Sequence, residues 1–182
     1  MTRWPSSLRV SAQDHTLARL AALGIVIALL ESAIPSPLPG VKPGLANLVT
    51  LIALQQLGWR AACWVSLLRI IGSGLLLGSL FSPGFWLSLS GGLASLLSLA
   101  LASRLPARFF GVLSHSLLAA MGHLAGQLLL ARLWLMPHDG VWLLLPPLML
   151  SSLLGGVATG LLTLNLLQRL ASCPHPTPSP LP

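Results

Sequence analysis

The sequence predicts an all-α integral membrane protein, a bundle of six transmembrane helices with both ends in the cytoplasm. Three observations predict it. Only 7% of the residues are charged while 54% are hydrophobic, where a soluble domain carries about 25% charged residues. The mean hydropathy is +0.85, too apolar for a surface clothed in water. The apolar residues also fall into six runs separated by prolines, glycines and charges. These runs are continuous rather than alternating, which argues against a membrane β-barrel. At 182 residues, one domain is the natural count.

Residues 1–16 are polar, with Arg3, Arg9, Asp14 and His15, and read as a cytoplasmic N-terminal segment. The first apolar run, Leu17–Ile34, lacks a small-residue cleavage site before Pro35, so it reads as a retained helix and not a signal peptide. Pro35, Pro37, Pro39, Gly40, Pro43 and Gly44 then interrupt helix repeatedly. The second run, Leu45–Leu57, is short for a span of hydrocarbon, which needs about 20 residues. Ala61–Leu80 and Gly84–Ala102 are the third and fourth, joined by a tight turn at Ser82, Pro83 and Gly84. Arg104 and Arg108 close the fourth run, and Phe109–Ala131 is the fifth. A polar break from Trp134 to Val141 holds Pro137, His138, Asp139 and Gly140. Trp142–Leu167 is the sixth, with Pro146 and Pro147 near its first turn, where proline is tolerated. The domain organisation is therefore 1–16, a six-helix domain over 17–168, and a Pro-rich cytoplasmic tail over 169–182 expected to be disordered.

Orientation follows from the basic residues. With the N-terminus inside, Arg3, Arg9, Arg19, Arg60, Arg104, Arg108 and Arg169 fall on the inner side, and Lys42 and Arg132 on the outer. That bias favours a multi-pass protein of the inner (plasma) membrane with both termini cytoplasmic. Trp59, Trp134 and Trp142 stand near run ends, as interfacial tryptophans do. The net charge of +7 is spread between apolar runs and forms no patch, so it does not point to nucleic acid. Cys63 and Cys173 are far apart and fit no metal spacing.

Small residues recur four apart: Ala18 and Ala22, Gly74 and Gly78, Gly122 and Gly126, Gly156 and Gly160. In lipid such pairs let helix backbones approach closely, within one chain or between subunits. Polar residues inside the apolar runs are the sharper signal, because lipid disfavours them. Glu31 lies near the outer end of the first run, and Asn47 near the outer start of the second. Arg69 stands nine residues beyond Arg60, about 14 Å into the membrane. His123 and Gln127, four apart, share a face of the fifth helix. They lie roughly 20–27 Å from the inner side. Together with Lys42 these residues are candidates for one outward-facing substrate cavity. Each also has a structural reading. Glu31 and Arg69 are a possible buried ion pair and His123 a possible core histidine. Asn47 is a possible helix cap, and Lys42 a possible interfacial anchor. His115 and Asn165 read as structural, and His138 and Asp139 as a solvated loop.

Catalysis is poorly provided for. The three acids, Asp14, Glu31 and Asp139, lie in three different segments. There is no paired carboxylate, no Asp-rich magnesium site for diphosphate chemistry, no Gly-x-x-x-x-Gly-Lys phosphate loop and no His/Cys/Asp cluster of metal spacing. The expectation is a non-enzyme without cofactor or metal.

The stretch Gly40-Val-Lys-Pro-Gly-Leu-Ala-Asn47-Leu-Val-Thr-Leu resembles the signature loop and second helix of the Gx transporter family, also known as heptaprenyl diphosphate synthase component I. Ser66-Leu-Leu-Arg69, Gly78-Ser-Leu-Phe-Ser-Pro-Gly and Ser88-Leu-Ser-Gly-Gly-Leu-Ala-Ser95 resemble its third and fourth helices, and His123-Leu-Ala-Gly126-Gln127 its fifth. That family usually has Asn after the histidine; here it is Leu124, so a His-Asn pair is not carried over. The resemblance covers roughly residues 17–168. It implies a six-helix fold similar to the substrate-binding S components of energy-coupling factor (ECF) transporters. Such proteins capture a small-molecule substrate from the outer side and work with a coupling subunit and ATPase subunits in the lipid bilayer. The resemblance also makes Ala18 and Ala22 candidates for the coupling contact. The alternative is a non-catalytic membrane component associated with heptaprenyl diphosphate synthase.

Overall fold

The computed structural model describes residues 11–33, 45–104, 111–136 and 139–172. Lys42, His138 and the tail beyond residue 172 lie outside the described residues. Six α-helices make up the described chain: α1 (Ala12–Ala33), α2 (Ala46–Leu57), α3 (Trp59–Leu76), α4 (Pro83–Ala102), α5 (Val112–Leu130) and α6 (Leu145–Ser172). No strand occurs among the described residues. A turn of π-helix (Ala131–Leu135) extends α5, and a 3-10 turn (Asp139–Leu144) leads into α6. The sixth helix thus begins later than its apolar run: Trp142 lies in the 3-10 turn, and Pro146 and Pro147 occupy the first turn of α6. There the missing proline N–H groups would have had no helical partner.

Four stretches are long and apolar enough to cross a membrane: Ala12–Ala33, Pro83–Ala102, Val112–Leu135 and Asp139–Leu170. Their large apolar side chains, such as Leu23, Val26, Leu30, Leu97, Leu101, Leu154 and Leu161, point outward. Among the buried positions are polar groups: Glu31, Ser66, Arg69, Ser95, Ser116 and Thr163 are at most 7% exposed. A chain that buries Glu31 and Arg69 within its helices and displays its leucines is arranged for lipid. The molecule is an all-α, multi-pass membrane protein.

Helix α2 has 12 residues, about 18 Å, and is short for the membrane. It packs on α1, α3, α5 and α6. Leu48, Val49, Thr50, Leu51, Ile52 and Ala53 are all buried, which is what a helix apolar on every side requires. Leu48, Val49, Ile52 and Ala53 meet Ala62 and Val65 of α3, with Leu17, Leu20 and Ile27 of α1 over them. Leu51 reaches the other way, to Leu99 of α4 and Ala119 of α5. A single residue, Gly58, joins α2 to α3 at φ +85° and ψ −176°. That conformation is open to glycine and hardly to anything else.

The glycine pairs divide into two kinds. A Cβ on Gly126 would lie 2.6 Å from both the Ser90 carbonyl oxygen and the Ala94 Cβ, and one on Gly122 would lie 3.0 Å from the Ala94 carbonyl oxygen. These glycines therefore set how closely α5 approaches α4. Gly156 and Gly160 seat α6 on Ala120, Ser116 and Leu113 of α5 in the same way. Ser116 and Ser152 add hydrogen bonds between these helices, to the carbonyls of Gly156 (2.7 Å) and Ala120 (3.0 Å). Gly74 accommodates the Phe85 ring of α4. Gly78 corrects the expected pairing with Gly74: it lies beyond the end of α3, at φ +61°, and nothing stands within 4 Å of where its Cβ would be. Its role is to turn the chain, not to pack helices. Ala18 and Ala22 are exposed on α1. After the turn, Ser82 caps α4 by accepting from the Phe85 N–H at 3.2 Å, with Pro83 in the first turn.

Candidate functional site

A cavity of about 660 Å³ opens between α1, α3, α4, α5 and α6, with the start of α2 at its edge. Five of the six residues singled out from the sequence line it: Glu31, Asn47, Arg69, His123 and Gln127. They come from four helices and up to 96 positions apart (127 − 31), so only the fold gathers them. The sixth, Lys42, lies outside the described residues.

The order of assembly starts with Glu31. Its Oε1 accepts from the backbone N–H of Leu45, at the N-terminus of α2. A helix start has unpaired N–H groups and a positive end of its dipole, both of which favour a carboxylate. Glu31 thus caps α2 from α1, and Asn47 does not cap its own helix: the N-cap position is Leu45, whose side chain makes no cap bond. The Asn47 amide oxygen faces inward and accepts from Arg69 Nη2 at 3.1 Å. Arg69 is 7% exposed and Glu31 6%, and the guanidinium and carboxylate interact electrostatically. The stem of Arg69 runs past Gly24 of α1, where a Cβ would lie 3.3 Å from its Cδ. A side chain at that position would press on the arginine stem, which would have to give by a few tenths of an ångström.

On the opposite side, His123 and Gln127 project from one face of α5 onto Gly91 of α4. A Cβ at Gly91 would lie 2.8 Å from His123 Nε2 and 2.9 Å from Gln127 Cγ. The imidazole lies against Gly91, in the cavity that also holds Arg69. Two of the buried polar atoms without a partner are Arg69 Nε and His123 Nδ1. Leaving such atoms unmatched costs about 1–3 kcal/mol each. The Gln127 amide makes no hydrogen bond among the described residues, and nor does the Ser88 hydroxyl beside it in the lining.

Apolar side chains make most of the remaining lining, and the hydroxyls of Ser116, Ser151 and Ser152 that also line it each donate to a backbone carbonyl. Leu124 and Leu128 of α5 pack with Val141 of the 3-10 turn and with Leu145, Leu148 and Met149 of α6. Leu135, Met136 and Leu144 extend this wall. The turn that carries it is held by Arg132 and Asp139, 2.8 Å apart. Their side chains are 31% and 86% exposed, so this pair belongs to the surface, in keeping with the solvated loop expected at Asp139. Sequence reasoning met Ser88 and Gly91 only within the stretch resembling the fourth helix, not as site residues, and did not find the apolar wall. Gly91 carries no chemistry of its own, and the wall residues are leucines among many. The histidine and glutamine four apart on α5 were the available pointer to Gly91. Among the described residues no three His, Cys, Asp or Glu side chains come together as a metal site would require.

Comparison with known proteins agrees with this architecture. The family described as heptaprenyl diphosphate synthase component I matches residues 20–166. A solved structure of the S component of a bacterial ECF transporter superposes with a TM-score of 0.68 at 18% identity. The superposition covers 87% of this chain and 95% of that one. No curated protein matches the chain.

Proposed function

The chain belongs to the heptaprenyl diphosphate synthase component I family, and from its fold and cavity we propose that it is the substrate-capturing membrane subunit of an uptake system. One observation carries this reading. Glu31, Asn47, Arg69, His123 and Gln127 converge on one cavity inside an otherwise lipid-adapted bundle. A buried arginine in a membrane protein is costly and marks a site with a task. A cavity of about 660 Å³ lies within the range of small-molecule sites, roughly 300–1,000 Å³. The likeness to an S component of an ECF transporter supports the same reading at the level of fold. Glu31, Lys42, Asn47, Arg69, His123 and Gln127 are the proposed substrate-binding residues, with the cavity facing outward and both termini cytoplasmic in the inner membrane.

The proposed partners are a coupling subunit and ATPase subunits, met through the exposed small residues Ala18 and Ala22 of α1. The chain has no phosphate loop of its own with which to drive transport. The protein is proposed to be a non-enzyme: Asp14 and Glu31 stand near opposite ends of α1, and Asp139 is paired with Arg132.

A second reading is favoured by the family description itself: a non-catalytic membrane partner of a prenyl diphosphate synthase. Native mass spectrometry of the protein purified gently from its own membranes separates the two. Substrate capture predicts a bound small molecule or a co-purifying ATPase and coupling subunit. A prenyl synthase in the complex, with neither ligand nor ATPase, would decide for the second. Within the first reading, Arg69→Ala and His123→Ala should each lower uptake at least tenfold while the protein still reaches the membrane. Unchanged uptake in both would remove the cavity from the mechanism.

A further inference from the structure

We infer that the cavity takes an amphipathic small molecule with at most one net negative charge, its polar head on Arg69, His123 and Gln127 and its apolar body on the wall between α5 and α6. The inference rests on the substrate-capture reading and names the class of ligand for that same site.

Three features carry it. The first is segregation. Polar groups with atoms left unmatched, Arg69, His123, Gln127 and Ser88, stand on α3, α4 and α5, while Leu128, Val141 and Leu148 pack into an apolar surface of the same cavity, where Ser116, Ser151 and Ser152 turn their hydroxyl hydrogens to backbone carbonyls. A uniformly polar solute would leave that wall against polar groups, and a uniformly apolar one would strand the arginine.

The second is charge. Of the described lining residues two carry formal charge, Arg69 and Glu31, and they are of opposite sign. Their sum is zero, +1 − 1, and Lys42, proposed above for the same site, brings it to +1. A diphosphate head carries several negative charges, and sites for it gather several Arg or Lys side chains or metal ions. One arginine already facing a glutamate, with Lys42 as the one further cation, does not make such a site. The prenyl diphosphate suggested by the family description is therefore the wrong charge class for this cavity.

The third is hydrogen-bonding sense. Arg69 can only donate. It is 7% exposed, and its Nε has no partner. The ligand head must therefore present an acceptor. The Gln127 amide can donate or accept beside it, and the His123 ring takes either role according to its tautomer. A carboxylate, or a neutral carbonyl or amide head, meets these groups.

A matched series tests the class: geraniol, geranic acid and geranyl diphosphate share one apolar body and differ in head charge. Titration calorimetry on the full chain in lipid nanodiscs, with empty nanodiscs as blank, reads each affinity. Geranic acid or geraniol should bind at least tenfold more tightly than geranyl diphosphate. Arg69→Gln should weaken that binding about tenfold, and Gln127→Leu, whose side chain has no internal partner to lose, about fivefold. The Gln127 variant keeps the test valid if the arginine variant folds poorly. The class is overturned if geranyl diphosphate binds tightest, if none of the three binds, or if neither variant changes the affinity. Tight diphosphate binding that falls in Arg69→Gln would sink the class and leave substrate capture standing. Capture itself stands or falls on uptake and on the co-purified partners.

Discussion

Gly91 fixes how far the polar face of α5 reaches into the cavity. It has no side chain, and the ring of His123 and the stem of Gln127 lie where its Cβ would be, at 2.8 and 2.9 Å. Both contacts are made by side chains rather than backbone, so Gly91→Ala should be tolerated by the fold. The added methyl also favours helix by about 0.5–1 kcal/mol relative to glycine. The expected outcome is therefore a split: a thermal midpoint unchanged or slightly raised, with uptake of the natural solute down severalfold. A drop in both would mean that Gly91 serves packing alone. Gly24 stands in the same relation to Arg69, leaving the channel for its stem from the α1 side. The chemistry of the site is thus carried by polar residues visible in the sequence, and its geometry by glycines that are silent there.

At the level of elements, the closest contact is between α4 and α5, and it is backbone on backbone. Gly126 faces the Ser90 carbonyl and Ala94, and Gly122 faces Ala94 and Ser98. At Gly126 the neighbours are a backbone carbonyl and a Cβ, which cannot swing aside as a side-chain tip can. Gly126→Leu should therefore force the helices apart and destabilise the protein by about 1–3 kcal/mol or more, the usual cost of overpacking. The check is the midpoint of thermal unfolding in detergent together with size-exclusion behaviour; an unaltered midpoint would show that α4 and α5 are not locked through this face. The Gly-xxx-Gly spacing announced this contact and that between α5 and α6. It misled at Gly74 and Gly78, because spacing alone does not tell where a helix stops, and α3 stops at Leu76. The helix beginnings were similarly legible only in part. Ser82 and Pro83 mark the start of α4 by local chemistry. The start of α2 is capped from another helix by Glu31, a long-range contact that no local pattern contains.

At the scale of the whole molecule, composition pointed to the membrane and the continuous apolar runs to helices rather than a barrel, which together were enough for an all-α membrane bundle. Where the cavity lies was half legible: intramembrane polar residues are rare enough to stand out, and the fold gathers Glu31, Asn47, Arg69, His123 and Gln127 in one place. The apolar wall was not, because a leucine facing a ligand and a leucine facing lipid read alike. The short α2 leaves one question of topology that geometry and charge answer together. Asn47 near the start of α2 bonds Arg69 midway along α3, so the two helices form a hairpin folded at Gly58. If that hairpin crosses the membrane, it crosses twice; if it does not, it crosses not at all. Both termini share a side in either case. What differs is Arg60, at the hairpin's tip. The excess of Arg on the presumed inner side includes Arg60, and the positive-inside rule predicts that the hairpin traverses and brings its tip to the cytoplasm. A cysteine at position 60, in a chain with Cys63 and Cys173 replaced by serine, reports this directly. A membrane-impermeant maleimide should label it in inverted vesicles and not in intact cells. Labelling from outside would mean that α2 and α3 enter and leave on the outer side. The bundle would then be four spanning helices around a re-entrant hairpin, and Arg69 would reach the cavity from the outer surface.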